Sequence, residues 1–188
     1  MIILNPENIQ KYCRNCVLFD IETTGLSSDT DQIIEISALK VVNGEVKDEF
    51  STLVDPGVHI PSMASQINGI TDDMVCGCPD VGQALKEFKA FVGNDVLAGH
   101  NIERFDLKFI QRDARRFLGR EITNEHIDTL VIARRYLPRL SSRSLQSLSY
   151  HYGISYEGAH RALADCRINL EVFEHLADEA CNRCNAGN

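Results

Sequence analysis

The chain has 188 residues, 44% hydrophobic and 24% charged, a balance that can bury a sizeable core and excludes a disordered polymer. No apolar run approaches the roughly 20 residues of a bilayer-spanning helix. The net charge of −8 excludes recognition of nucleic acid by overall basicity, but not an enzyme whose clustered carboxylates recruit cations toward phosphates. The stretch from Met1 to Asn8 has neither the basic start nor the apolar run of a secretory leader. One cytoplasmic domain over 1–188, with its core at about 15–180 and no membrane contact, is therefore expected.

In chain order, Asn15 to Ile21 is apolar on both alternating faces, which predicts a central strand covered on both sides. Gln32 to Val42 and Glu45 to Val54 read as two further strands, joined by Asn43-Gly44, a two-residue hairpin signal. The period then changes. Asp80 to Val92 has helical spacing at Val81, Leu85, Phe88 and Val92, with Asp80 as N-cap. A short strand over Asp95 to Ala98 precedes a helix over Glu103 to Leu118. A short strand over His126 to Asp128 leads to helices at Thr129 to Tyr136 and Ser144 to Tyr152. After Gly158 a last helix runs to about Ala180. The prediction is an α/β domain with a mixed, five-stranded sheet flanked by helices.

Carboxylates occupy positions where apolar residues belong. Asp20 and Glu22, two apart on the central strand, point to one face. Asp165 heads the stripe Ile168, Val172 and Leu176 of the last helix. Asp106 shares a helix face with Phe109, Ile110 and Phe117, although Asp113 on the same arc leaves open that this face is solvated. Taken singly, each acid has an ordinary reading, as an edge-strand pair or a helix-dipole partner. His160 alone reads as an ordinary surface or core histidine. Core-facing acids on three elements together point to divalent cations, because burying unpaired carboxylates is costly and hard oxygen ligands suit Mg²⁺ and Mn²⁺.

Three segments carry a resemblance. Asp20-Ile21-Glu22-Thr23-Thr24-Gly25-Leu26, Gly99-His100-Asn101 through Phe105-Asp106, and His160-Arg161-Ala162-Leu163-Ala164-Asp165 resemble, in order, the three motifs of the DEDDh exonucleases. Val58 to Val75 resembles that family's linker, and the similarity runs from about Val17 to Leu176. The resemblance implies an RNase H-like fold and hydrolysis of nucleic acid from its 3′ end with two Mg or Mn ions, releasing nucleoside monophosphates. It implies that Asp20 bridges both metals, that Glu22 and Asp165 serve the metal holding the attacking water, and that Asp106 serves the other. His160 is then the base, and Thr23, Leu26, His100 and Asn101 contact the substrate, Leu26 as an apolar wedge. A general base titrating near neutrality is the chemistry histidine offers.

Within the family, the HRALAD core and the INGITDDMV linker lean toward the proofreading epsilon subunits of bacterial DNA polymerase III. Those subunits carry a tail that tethers them to the polymerase, whereas eight residues follow Ala180 here. A polymerase-bound proofreader of DNA and a free-standing nuclease that repairs DNA or trims RNA are both expectations. A non-catalytic nucleic-acid-binding relative would be expected to have lost a ligand or the base, and all five positions are present.

The seven cysteines include two CxxC pairs, Cys13/Cys16 and Cys181/Cys184. Without a leader they are expected reduced. They stand before a strand and after a helix, so thiol redox catalysis is disfavoured. If both ends run away from Asp20 and Asp165 in one direction, the pairs can meet in a structural zinc site of four cysteines; the other reading is four unlinked thiols, buried or frayed. Glu35, inside the second strand, is read as structural.

Overall fold

The computed structural model describes the chain from Ile2 to Asn185, with side chains as far as Arg183. Strands β1 (Asn15–Thr23), β2 (Ile33–Val42) and β3 (Glu45–Leu53) form an antiparallel meander, and β4 (Leu97–Gly99) and β5 (His126–Asp128) extend it in parallel. The sheet order β3-β2-β1-β4-β5 puts β1 in the middle. The hairpin turn lies at Asn43-Gly44, both with positive φ, as a tight two-residue turn requires.

Both faces of β1 are covered, as its doubly apolar pattern predicts. Val17, Phe19 and Ile21 pack with Leu85 and Phe88 of α4 (Val81–Val92) and Phe109 of α5 (Asp106–Asp113). On the other face Leu18 packs with α6 (Thr129–Tyr136), α7 (Leu145–Tyr152) and α8 (Ala162–Asn185). Asp80 caps α4 by accepting from the N–H of Gln83 at 2.8 Å. The helix expected from Glu103 begins three residues later, because Asp128 accepts the N–H groups of Asn101 and Glu103 and holds that segment as a turn. Beyond Asp113 it widens into a π-helical turn, Ala114–Leu118. The last helix runs past Ala180.

Three helices go beyond the sequence reading. One, α1 (Pro6–Cys13), has an Asn5 cap and packs its buried Ile9 and Cys13 with Phe173 and Ala177 of α8. Two short ones, α2 (Ser62–Asn68) and α3 (Asp72–Val75), close the rim of β2 through Ile34, Ile60, Ala64, Ile70 and Val75. Among the described residues, no helix is long and apolar enough to cross a membrane.

Candidate active site

Asp20 and Glu22 share the β1 face that looks onto α8, and a β-bulge follows between Glu22 and Thr23. Asp165 lies in the first turn of α8, buried, with Oδ2 accepting the N–H of His160 at 3.2 Å. One carboxylate oxygen from each of Asp20, Glu22 and Asp165 lies within 4.8 Å of the other two. Asp106 opens α5 and is buried, with Oδ1 accepting the N–H of Ile21 at 3.2 Å. That bond stitches it to β1 between the two strand acids.

Electrostatics makes this cluster unstable as free anions. Burial raises the Asp20 carboxyl well above the usual range, and Asp106, Asp165, Glu22 and Glu35 add to the rise. Burial, then Asp165 and Glu35, pushes Glu22 up to about 8. Burial lifts Asp106 to about 7 against the bonds it accepts, and Asp165 also titrates high through burial. Asp165 Oδ1 is buried with no hydrogen-bond partner among the described residues. An orphaned carboxylate oxygen amid three other acids fits a hard divalent cation in donor type and charge.

His160 is exposed at φ +67°, just after Gly158 at φ +77°, with the Tyr156 ring edge-on to it at 6.0 Å between centroids. The next two residues are clamped. Glu35 is buried and accepts from Arg161 Nε at 3.2 Å, Arg161 Nη2 at 2.9 Å and the Ala162 N–H at 3.1 Å. Its register partner on β1 is Glu22. The structural reading of Glu35 therefore stands, but its place is at the rim of the acid cluster. Asn68 escaped the sequence reading too. It is buried, its Oδ1 accepts the N–H of Ile70, and its side chain hydrogen-bonds Glu22. The turn signal Asn68-Gly69 marked the bend, but nothing local marked its partner.

The residues expected at the substrate divide. Leu26, four residues after Glu22, is 86% exposed, while Thr23 is buried and donates its hydroxyl to the Gly25 carbonyl at 2.6 Å. A Cβ at Gly25 would lie 2.5 Å from the Asp31 carboxylate, so that close approach needs glycine. His100 is occupied internally, with Nδ1 3.0 Å from Thr129 Oγ1 and a further hydrogen bond to the backbone of Arg143. Asn101, at φ +65°, lines a cavity with His100. A larger cavity of about 730 Å³ beside Glu103, Lys108 and His126 contains none of the clustered carboxylates. The acid cluster, with its unsatisfied oxygen, is the stronger sign of chemistry.

Of the four cysteines considered for a zinc site, Cys13, Cys16 and Cys181 form no ligand cluster among the described residues. The chain ends do meet, with α1 against α8 and Gln10 donating to Asp178 at 3.3 Å. Tetrahedral ligands at about 2.3 Å from zinc must lie within about 4 Å of one another. Yet among the described residues only the Asp20, Glu22 and Asp165 set meets a 4.8 Å limit. Cys13 donates to the Gln10 carbonyl and Cys16 is buried in the core, while the Cys184 side chain lies outside the described residues. Burial pushes the Cys13 thiol up to about 11 and the Cys16 thiol higher.

A sequence model of the exonuclease (RNase T) family matches residues 17–173. The chain is 35% identical to the DNA polymerase III epsilon subunit of Aquifex aeolicus over 163 residues, 87% of this chain and 80% of that protein. It is 43% identical to the PolC-type DNA polymerase III of Clostridium perfringens over 158 residues, 84% of this chain but 11% of that protein. Among solved structures, exonuclease X in complex with 5′ overhanging duplex DNA matches with a TM-score of 0.68 and 28% identity, over 86% of this chain and 90% of that one. An E. coli ExoI–ssDNA complex matches with a TM-score of 0.73 and 21% identity, over 82% and 38%, and shares the RNase H-like fold. With the family's acids gathered on this fold, the chain belongs to the exonuclease family and is a 3′→5′ exonuclease of the DEDD type.

Proposed function

We propose that the chain removes nucleoside monophosphates one at a time from the 3′ ends of single-stranded DNA, as a proofreading exonuclease working with a DNA polymerase. The observation that carries this reading is the convergence of Asp20, Glu22 and Asp165 oxygens within 4.8 Å, with Asp165 Oδ1 buried and without a hydrogen-bond partner among the described residues. These three residues, joined by Asp106, would hold divalent cations, Mg or Mn. Such cations supply Lewis acidity for in-line displacement at phosphorus. His160 takes the proton from the attacking water, and its loop position lets it approach and withdraw while Asp165 stays fixed on α8. Leu26, exposed at the rim, packs against the terminal base. Asn68 orients the Glu22 carboxylate through its amide. The similarity to an epsilon subunit and to a PolC-type polymerase supports DNA as substrate and a polymerase as partner.

The test is digestion of 5′-labelled single-stranded DNA and RNA of matched sequence with Mg²⁺ or Mn²⁺. A ladder shortening by single nucleotides on DNA, stopped by chelator, is expected. A ladder on RNA alone would instead make the enzyme a trimmer of RNA 3′ ends, and no ladder on either would refute the reading.

A further inference from the structure

Charge is unevenly spread along this acidic chain. Residues 100–143 hold ten of the 19 Lys and Arg but six of the 27 Asp and Glu. Part of that excess gathers beside the acid cluster. A cavity of about 440 Å³ is lined by His100, Asn101, Arg134, Arg143 and Ser144 with two leucines, and by no carboxylate. Neither arginine is ion-paired with an Asp or Glu among the described residues, unlike Arg112, Arg115, Arg161 and Arg167.

The register of the sheet sets this cavity next to the acids. Leu18 of β1 pairs with Ala98 of β4, and both face the α8 side. Two residues further along stand Asp20, still on β1, and His100, one residue beyond the end of β4, the neighbouring strand. The cavity therefore opens one strand away from the metal-binding acids, on the same face of the sheet.

The walls are arranged before any ligand arrives. Arg143 donates from Nε and Nη2 to the Leu137 carbonyl at 3.0 and 2.8 Å, which pins the guanidinium and leaves Nη1 without a hydrogen bond among the described residues. Arg134 is exposed on α6, and its side chain makes no hydrogen bond among the described residues. Asn101, in a left-handed conformation, donates its N–H to Asp128 at 2.8 Å and lines the cavity. Two guanidiniums and an amide, with no acid among them, suit a phosphate oxygen. A guanidinium offers its paired N–H groups to two oxygens at once.

We propose that this cavity is a phosphate subsite, which grips the sugar-phosphate backbone of the single strand upstream of the 3′-terminal nucleotide. The proposal rests on the nuclease reading above and extends it. In a chain of net charge −8, such a grip supplies locally the attraction that the surface as a whole does not.

The test compares two substrates with the full chain and Mn²⁺. One is a single-stranded oligonucleotide. The other is the p-nitrophenyl ester of thymidine 5′-monophosphate, which has no upstream phosphate. Arg134→Ala is expected to lower the ratio of oligonucleotide to ester kcat/KM by about tenfold, the loss of one charge-assisted contact. The oligonucleotide KM should also lose about 0.7 from its slope of log KM against log salt, as for one released counterion on a single strand. Arg134→Lys should restore part of the ratio, and the charge-matched control Lys86→Ala, on the exposed side of α4, should leave it alone. Arg143→Ala should act likewise, with its melting temperature checked because it also holds Leu137. An unchanged ratio and salt slope in Arg134→Ala, with the parent active on both substrates, overturns the subsite alone. A parent inactive on both overturns the nuclease reading, and the subsite with it.

Discussion

Asp165 carries two different jobs on its two oxygens. Oδ2 accepts the backbone N–H of His160, while Oδ1 is buried with no hydrogen-bond partner among the described residues. Asp165→Asn keeps the shape and removes the charge, so it should lower hydrolysis by more than about a hundredfold, beyond the usual loss for residues that merely support a metal ligand. The melting temperature in chelator should hold or rise, because a buried like-charge repulsion is relieved. An active Asp165→Asn would remove it from the metal site. His160 predicts a different pattern, since its exposed imidazole sits outside the acid cluster. His160→Ala should cut kcat by about two to four orders of magnitude, the range for a lost general base. Metal affinity, read by calorimetry, should stay near that of the parent. A parallel loss of metal affinity would make the histidine a ligand instead.

At the scale of elements, the site depends on how α8 is fastened to the sheet. Glu35 on β2 holds Arg161 and the Ala162 N–H, and so fixes the chain immediately after His160. The two partners differ in exposure, with side chains 2% exposed for Glu35 and 44% for Arg161. Removing the arginine leaves a buried carboxylate with one remaining donor. Arg161→Ala should therefore destabilise by about 1.5–3 kcal/mol, the worth of hydrogen bonds to a charged group, toward the lower end because Arg161 is partly solvated. Urea unfolding measures it. A fall in kcat should accompany it and recover in part with Arg161→Lys. Loss of stability with kcat intact would show that the clamp holds the helix but not the histidine.

For the whole molecule, the raised carboxyls link stability to pH and to metal. Glu22, raised by burial to about 8, and Asp106, raised by burial to about 7, bind protons in the folded chain that they release when it unfolds. Their contribution is fully present below the unfolded values near pH 4 and is lost as pH rises through about 7 to 8. Metal-free protein should thus melt at lower temperature at pH 8 than at pH 5. Divalent cation at a hundredfold its Kd adds about 2.7 kcal/mol, or about 5–10 °C for a chain of this size. That gain should grow with pH, since the ligands must be deprotonated. A chelated protein whose melting point does not fall from pH 5 to pH 8 would contradict the buried-anion account.

Local pattern was enough to locate β1, the hairpin, α4 and the acids Asp20, Glu22 and Asp165, because strand alternation and helical period report which side of an element is buried. The same pattern could not say what lies opposite. Asp113 left the face of α5 in doubt, and in the fold it is buried against the Arg112 guanidinium, so the face is inward after all. Glu35 finds its partner 126 residues away, and His100 is bound by Thr129 and Arg143, pairings that no spacing encodes. Asn5, Pro6 and Glu7 do form a helix-start signal for α1, but eight residues hold a helix only through packing, here against α8. Distance decided the cysteines as well. Helix α1 packs against α8 without Cys13, Cys16 and Cys181 forming a ligand cluster, because side-chain direction is set by each element's packing and not by the reach of the backbone.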